Sequence, residues 1–510
     1  MKHSRILLAL SAAFAAFGAA NAQESRRATV AQGDTLTLRA QPPEPTFRLN
    51  HRYRSRVTPA QRAAHIENLL QAAATHHLLA ETESDFRIKK PQQIFQAVPQ
   101  RRTQGRTVAP APSGSLATRS GGAQSAAPIS PNASIAANVD TFDLGLFEQN
   151  LIDAVKNQSI GYAYAITRNG QLVAHGADGD ARTDTDGQID QSSQKEMIIA
   201  SMSKTITAAA MLHAMKANGV SINDSIVDYL PPGWAPGPNV EDITFRRLLT
   251  HRSQLDVPGT GLGGLPDGSS NPGVQPFSCC TQNGNTHAAI KQIVENGTAA
   301  IDNTPADDPH DYTNANYSLM RYLITHMTTE QGEIDDLAEI WPIGDVYGAI
   351  YAQYVQENVF SPAGILKLGP MPFETANTRT LLYDFNNPNG AGTVPGDWLD
   401  GVGANGWYLS AIDLARFVVH LRHTNVILDA PMRELMNDLF LGWLDPGVFA
   451  AHVDGAFGDY QGHGGDFIMT GCMINFPINV EGVVLVNSAN GGFPTHICNS
   501  LKTAYDTAFN

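Results

Sequence analysis

The sequence predicts an α/β (α+β) fold: an antiparallel sheet flanked by helices, with a mostly helical subdomain inserted into it. Three observations carry this. Strand patterns stand near both ends of the stretch from Val139 to Asn510, a mostly helical stretch separates them, and an Ala-rich helix that is apolar on most faces lies near its start. A helix of that kind is buried on all sides, which only the middle of a layered domain provides.

In chain order, "TFDLGLFEQNLIDAVKNQ" repeats apolar residues at helical spacing. "IGYAYAITRNGQLVAHGADG" alternates as two short strands around Asn169-Gly170, a pair that tolerates the positive φ of a two-residue hairpin. "TITAAAMLHAMKANGV" is the Ala-rich helix, stopped by Gly219, with Lys216 in its last turn where a cation suits the helix dipole. From Asp224 to about Gly392 the pattern is mostly helical, interrupted by the Gly-rich loop "TGLGGLPDGSSNPG". "DFIMTGCMINF" and "EGVVLVNSA" return to strands, and "PTHICNSLKTAYDTAF" closes the chain as a helix. No internal repeat is visible.

The first 138 residues read differently. Lys2 and Arg5 precede an apolar run from Ile6 to Ala20, and "ANA" stands before Gln23, so residues 1–22 are expected to be an export signal cleaved after Ala22. No later stretch approaches the roughly 20 apolar residues of a spanning helix. A periplasmic or secreted protein without a transmembrane anchor is therefore expected. Residues 23–138 hold 15 Lys/Arg against 7 Asp/Glu, in Pro-, Ser-, Gln- and Ala-rich tracts. One helix is expected there, Thr58 to Glu81, capped by Thr58 with Pro59 at its first position. Such a basic arm suits contact with an anionic surface or with the acidic domain after it; a solvated spacer is the competing reading.

The 510-residue chain carries a net charge of −15, and its main body offers nothing to a nucleic acid. Cys279, Cys280, Cys472 and Cys498 are an even number, so an exported chain is expected to form one or two disulfides whose pairing the sequence does not reveal. Neither CxxC nor HExxH spacing occurs, so no metal and no cofactor are expected.

"IIASMSKTITAAA" poses a choice between two serines. Residues three apart share a helix face and adjacent ones do not, so Ser201 faces Lys204 while Ser203 points roughly 100° away. Ser201 also opens the helix, where free N–H groups favour negative charge on oxygen. Ser192 and Lys195 have the same spacing but lie in a polar run, without the desolvation that would let a lysine accept a proton. Tyr312 and Asn314 in "DYTNANYS" form the chain's one Tyr-x-Asn triplet. A tyrosine beside a lysine can relay a proton, and an asparagine can hold the lysine or a substrate amide. "GHGGDF" supplies His463, Gly464 and Gly465, where glycines let an acyl substrate lie along the backbone.

In the order Ser-x-x-Lys, Tyr-x-Asn, His-x-Gly, the chain from about Phe142 to Phe509 resembles the serine β-lactamase and penicillin-binding-protein superfamily. The resemblance is to the branch with class C β-lactamases, D-Ala-D-Ala carboxypeptidases, D-aminopeptidases and β-lactamase-like esterases. "DITFRRLLTHRSQL" and "GWYLSAIDLARF" resemble further stretches of that family. The resemblance implies a β-lactamase/transpeptidase-like fold, Ser201 as acylated nucleophile, and Lys204 with Tyr312 as proton carriers. It implies Asn314, His463, Gly464, Gly465 and Asp466 as substrate-binding residues, with the N–H groups of Ser201 and Asp466 as oxyanion donors. A small-molecule or peptide acyl substrate follows, an ester, amide or β-lactam. Two departures stand out: His463 replaces a lysine that helps to bind a substrate carboxylate, and Gln254 replaces a glycine. A non-catalytic binding protein on the same fold is the alternative; an α/β-hydrolase is disfavoured because Gly-x-Ser-x-Gly is absent.

Overall fold

Asn169 and Gly170 take φ of 52° and 73°, the conformation of a type I′ turn, and fold β1 (Gly161–Arg168) back on β2 (Gln171–Arg182). The structure, a computed structural model, describes residues 141–255, 286–298, 301, 309–367, 369–372, 374, 377–396, 398–489 and 496–509, together with residues 64, 66–68, 70 and 71. The expected export signal, most of the arm, Cys279, Cys280 and the Gly-rich loop lie outside these residues.

The helix α1 (Leu144–Val155) begins at Asp143, whose carboxylate accepts from the Leu146 N–H. After the hairpin come two short strands, β3 (Ile189–Asp190) and β4 (Met197–Ile198), and the helix α2 (Ser203–Asn218). The helical insertion follows as α3 (Phe245–Leu249), α4 (His287–Asn296), α5 (Asn314–Thr328), α6 (Gln331–Ala338) and α7 (Ile343–Val355). Then come β5 (Tyr383–Asp384), β6 (Tyr408–Leu409), α8 (Ala411–His423), α9 (Ala430–Asp438), α10 (Pro446–Val453), β7 (Asp454–Gly455) and β8 (Gly458–Asp459). The chain ends with β9 (Gln461–Asp466), β10 (Thr470–Phe476), β11 (Val480–Val486), β12 (Ser488–Ala489) and α11 (Ile497–Asp506).

The main sheet runs β3-β2-β1-β11-β10-β9, antiparallel throughout. The alternation along β1 is real but is not an alternation of apolar with polar. Ala163 and Ala165 join the larger core with α2 and α8, whereas Tyr162, Tyr164 and Ile166 join a second core with α1 and α11. Both faces of the sheet are therefore covered, which is why β1, β10 and β11 are buried along almost their whole length. "GHGGD" was expected to lead into a strand; it is itself the edge strand β9, and β10 starts at Thr470 rather than Asp466. An edge tolerates such a glycine-rich strand because only one side of it must pair.

The helix α2 is buried from Ser203 to Leu212 and again at Ala214 and Met215, and it ends on Gly219 at φ 69°. Val220 donates to the Met215 carbonyl at 2.9 Å, which closes the helix end. Cys472 on β10 is disulfide-bonded to Cys498 on α11, with Cα atoms 5.2 Å apart. Of the helix expected over Thr58–Glu81, the described residues are helical, and Ile66 and Leu70 are buried in the larger core. Among the described residues no helix is long and apolar enough to cross a membrane.

Candidate active site

Ser201 lies in a 3-10 turn, Ala200–Met202, that runs directly into α2, so it stands just ahead of the helix rather than in its first α-turn. Ala200 before it has φ 45°, a left-handed conformation that costs a residue with a Cβ about 1–2 kcal/mol. Strain of this kind gathers where a side chain must be presented in one direction. Here it turns the chain from β4 so that Ser201 faces the buried Lys204, whose Nζ donates to Ser201 Oγ at 2.9 Å. Ser203 is fully buried on another face, where its Oγ accepts from the Trp407 N–H at 3.4 Å. The rival lysine, Lys195, is tied to the Glu374 carboxylate at 2.9 Å and the Thr378 carbonyl at 2.6 Å.

Two more neutral oxygens accept from the Lys204 ammonium, Asn314 Oδ1 at 2.7 Å and the Ala404 carbonyl at 3.2 Å. Asn314 opens α5, and Thr313 caps that helix by accepting from the Ala315 N–H. The same turn places Tyr312 against the lysine, with Nζ 4.9 Å from the ring centroid. The Ser-x-x-Lys and Tyr-x-Asn residues thus meet, although the two motifs stand on different helices.

The strand β9 runs beside the serine turn. A Cβ added to Gly465 would lie 2.3 Å from the Ile199 carbonyl oxygen and 3.2 Å from the Ser201 nitrogen. At Gly464 the space is filled by the His496 ring and Cys498 Sγ. The Asp466 carboxylate, at the end of β9, accepts from His496 Nε2 and Thr470 Oγ1, each at 2.6 Å. His496 Nδ1 accepts from the Cys498 N–H, which leaves the ring hydrogen on Nε2.

His463 is 2% exposed, and burial, reinforced by the charge of Lys204, lowers its pKa to about 3. Its Nδ1–H donates to the Gly464 carbonyl at 2.6 Å. The imidazole is therefore neutral at pH 7 and supplies none of the positive charge that a lysine would.

Sequence reasoning missed two neighbours. His251 is buried with its ring centroid 4.3 Å from that of Tyr312, and burial, then Lys204, hold its pKa well below the usual value. Its Nδ1 accepts from the Thr313 N–H at 3.3 Å, so it braces the turn that carries Tyr312. Its own φ of 55°, like that of Gln254 at 56°, makes "THRSQL" a left-handed bend, which explains why a glycine would suit position 254. Asn405, on the loop before β6, lies 3.4 Å from Ser201 Oγ through its Oδ1. Neither residue belongs to a spaced motif; His251 stands within the family-like stretch "DITFRRLLTHRSQL", and Asn405 stands just before "GWYLSAIDLARF". Among the described residues no cluster of His, Cys, Asp and Glu is arranged to hold a metal.

A buried lysine joined to a serine lies beside a glycine strand, on a helix-flanked antiparallel sheet. The profile of the Beta-lactamase family matches residues 147–503, and the chain belongs to that family. It is 25% identical over 270 residues to a Bacillus subtilis (strain 168) protein named as a penicillin-binding protein, PbpX. That match takes in 53% of this chain and 56% of PbpX, so the chain spans little more than half the length of this relative. Among solved structures, a D-stereospecific amidohydrolase from Streptomyces sp. is 18% identical with a TM-score of 0.49, over 72% of this chain and all of that one. The D-amino acid amidase from Ochrobactrum anthropi SV3 is 17% identical with a TM-score of 0.49, over 71% of this chain and 96% of that one.

Proposed function

We propose that this protein is an exported hydrolase that works through an ester formed on Ser201, taking its acyl group from an ester, amide or β-lactam. The observation that carries this reading is the set of acceptors around Lys204. Among its partners, Ser201, Asn314 and Ala404 each accept an N–H bond, as suits the ammonium. Loss of one proton leaves two N–H bonds for Asn314 and Ala404 and turns a lone pair on the Ser201 hydroxyl. The same geometry therefore serves both states of a base.

In the forward step Ser201 Oγ gives its proton to Lys204, with Tyr312 as relay, and bonds to the acyl carbon. The oxyanion is held by the N–H groups of Ser201 and Asp466. The bond to the leaving group breaks as that proton is delivered to it, and water then releases the acyl group by the reverse path. Asn314, His463, Gly464 and Gly465 line the acyl side. A neutral His463 binds a carboxylate poorly, which favours acyl substrates that carry no charged carboxylate at this position.

A fluorophosphonate, which carries no carboxylate, is expected to add one equivalent to the protein at Ser201, read by intact mass and peptide mapping. The Ser203→Ala variant is expected to label like wild type, because Ser203 faces Trp407. No adduct on wild type, or loss of the adduct in Ser203→Ala alone, would sink the reading. Hydrolysis of p-nitrophenyl esters, nitrocefin, D-Ala-D-Ala peptides and D-amino-acid amides then separates esterase, lactamase and peptidase.

Residues 1–22 are proposed as the export signal, residues 23–138 as a basic arm and residues 139–510 as the hydrolase domain. The Cys472–Cys498 disulfide suits an oxidising compartment. Amino-terminal sequencing of the exported protein is expected to begin at Gln23; an intact Met1 terminus outside the cytoplasm would contradict this.

A further inference from the structure

Asn405 is 2% exposed, yet its carboxamide has one hydrogen bond among the described residues, with Oδ1 accepting from Ser201 Oγ at 3.4 Å. Its Nδ2 is buried there without a partner. Buried amide donors are nearly always paired, so an unpaired one beside a nucleophile calls for a use. The backbone around it is fixed. Thr207 Oγ1 donates to the Gly403 carbonyl at 2.6 Å, Lys204 donates to the Ala404 carbonyl, and the Trp407 N–H donates to Ser203 Oγ. The loop is thus fastened to α2 on both sides of Asn405, while among the described residues the amide itself is held by Ser201 alone.

We propose that Asn405 is a further catalytic residue, whose carboxamide turns over with the charge on the Ser201 oxygen. The inference rests on the acyl-enzyme reading above. In the resting state Lys204 donates to Oγ, and the hydroxyl hydrogen needs an acceptor, which Asn405 Oδ1 supplies. With Lys204 present as the free amine, the hydroxyl hydrogen passes to it by way of Tyr312, which leaves Oγ negatively charged and repelling Oδ1. A half-turn about the Cβ–Cγ bond replaces Oδ1 with Nδ2, a donor that stabilises the charged oxygen. No described group on Nδ2 resists that turn. The same donor faces Oγ again when it departs as the acyl group leaves.

The test is the rate at which a fluorophosphonate modifies Ser201 in the full-length protein between pH 5 and 9, with thermal unfolding as a check of the fold. Asn405→Ala is expected to slow modification about ten- to hundredfold, the loss of one hydrogen bond to a charged oxygen. Asn405→Asp is nearly the same shape, keeps the acceptor and loses the donor. It is expected to be slowest at alkaline pH, where its carboxylate repels the serine oxygen, and to recover toward pH 5 as it is neutralised. A folded Asn405→Ala or Asn405→Asp protein that reacts within about threefold of wild type across this range overturns the proposal. Equal, pH-independent slowing of both variants marks a structural role and overturns it as well. The parent reading fails separately, if wild type itself gains no adduct at Ser201.

Discussion

Ser201→Ala and Lys204→Met, made singly, are each expected to lower kcat/KM toward a p-nitrophenyl ester by about 10⁴-fold, with the double variant scarcely worse than either. The two side chains act on one event, transfer of the hydroxyl proton as Oγ attacks, so removing either partner removes the event. The residual rate is that of a site which still binds the acyl group and still offers its N–H donors. Methionine fits the space of Lys204 but removes the N–H donor to the Asn314 and Ala404 oxygens, at a cost of about 1–3 kcal/mol for each acceptor left unpaired. The thermal midpoint of Lys204→Met is therefore expected to fall by several degrees, and assays well below it separate a chemical loss from unfolding. Titration of His463 does not account for a pH dependence near neutrality, because that ring stays neutral down to about pH 3. Additive losses in the double variant, or a Lys204→Met rate within about tenfold of wild type, would show that Lys204 does not serve the serine.

The parts of this site that were legible in the sequence are the local ones. Ser201 and Lys204 are related by helical spacing, which is fixed within one turn, so the choice against Ser203 needed no tertiary information. Tyr312 and Asn314 were legible only as one triplet in an ordered series, since nothing in "DYTNANYS" says that α5 packs beside α2. Asn405 and His251 were not legible as site residues: each reaches Ser201 or Tyr312 through the packing of a loop, and no spacing rule links position 405 to 201. The left-handed Ala200 was hidden for a related reason, because alanine carries no signal for positive φ. In the fold, the Asn169-Gly170 hairpin and the Gly219 stop were written in residues whose backbone freedom is distinctive. The edge strand β9 was not, because glycine carries no strand signal; the smallness of these residues serves contact with the serine turn, not strand formation.

That contact leads to the second large effect. Gly465→Ala is expected to reduce the rate of Ser201 acylation by about 10²- to 10³-fold, the range found when an oxyanion donor is lost. The added Cβ would stand 2.3 Å from the Ile199 carbonyl oxygen and 3.2 Å from the Ser201 nitrogen. Both obstacles are backbone atoms, so neither swings aside as a side chain would. The clash is relieved only if β9 draws away from the Ala200–Met202 turn, and that movement separates the N–H groups of Ser201 and Asp466 proposed to share one oxyanion. Forcing a methyl group into such a contact also costs about 1–3 kcal/mol of stability, so the variant is to be assayed well below its unfolding temperature. Gly464→Ala is the comparison: its Cβ meets the His496 ring at 2.4 Å and Cys498 Sγ at 3.0 Å, away from the serine turn. Its expected cost in acylation rate is about tenfold or less, through displacement of His496 from Asp466. If Gly465→Ala acylates as fast as Gly464→Ala, the strand does not hold the oxyanion, and the donors must be sought on another element facing Ser201.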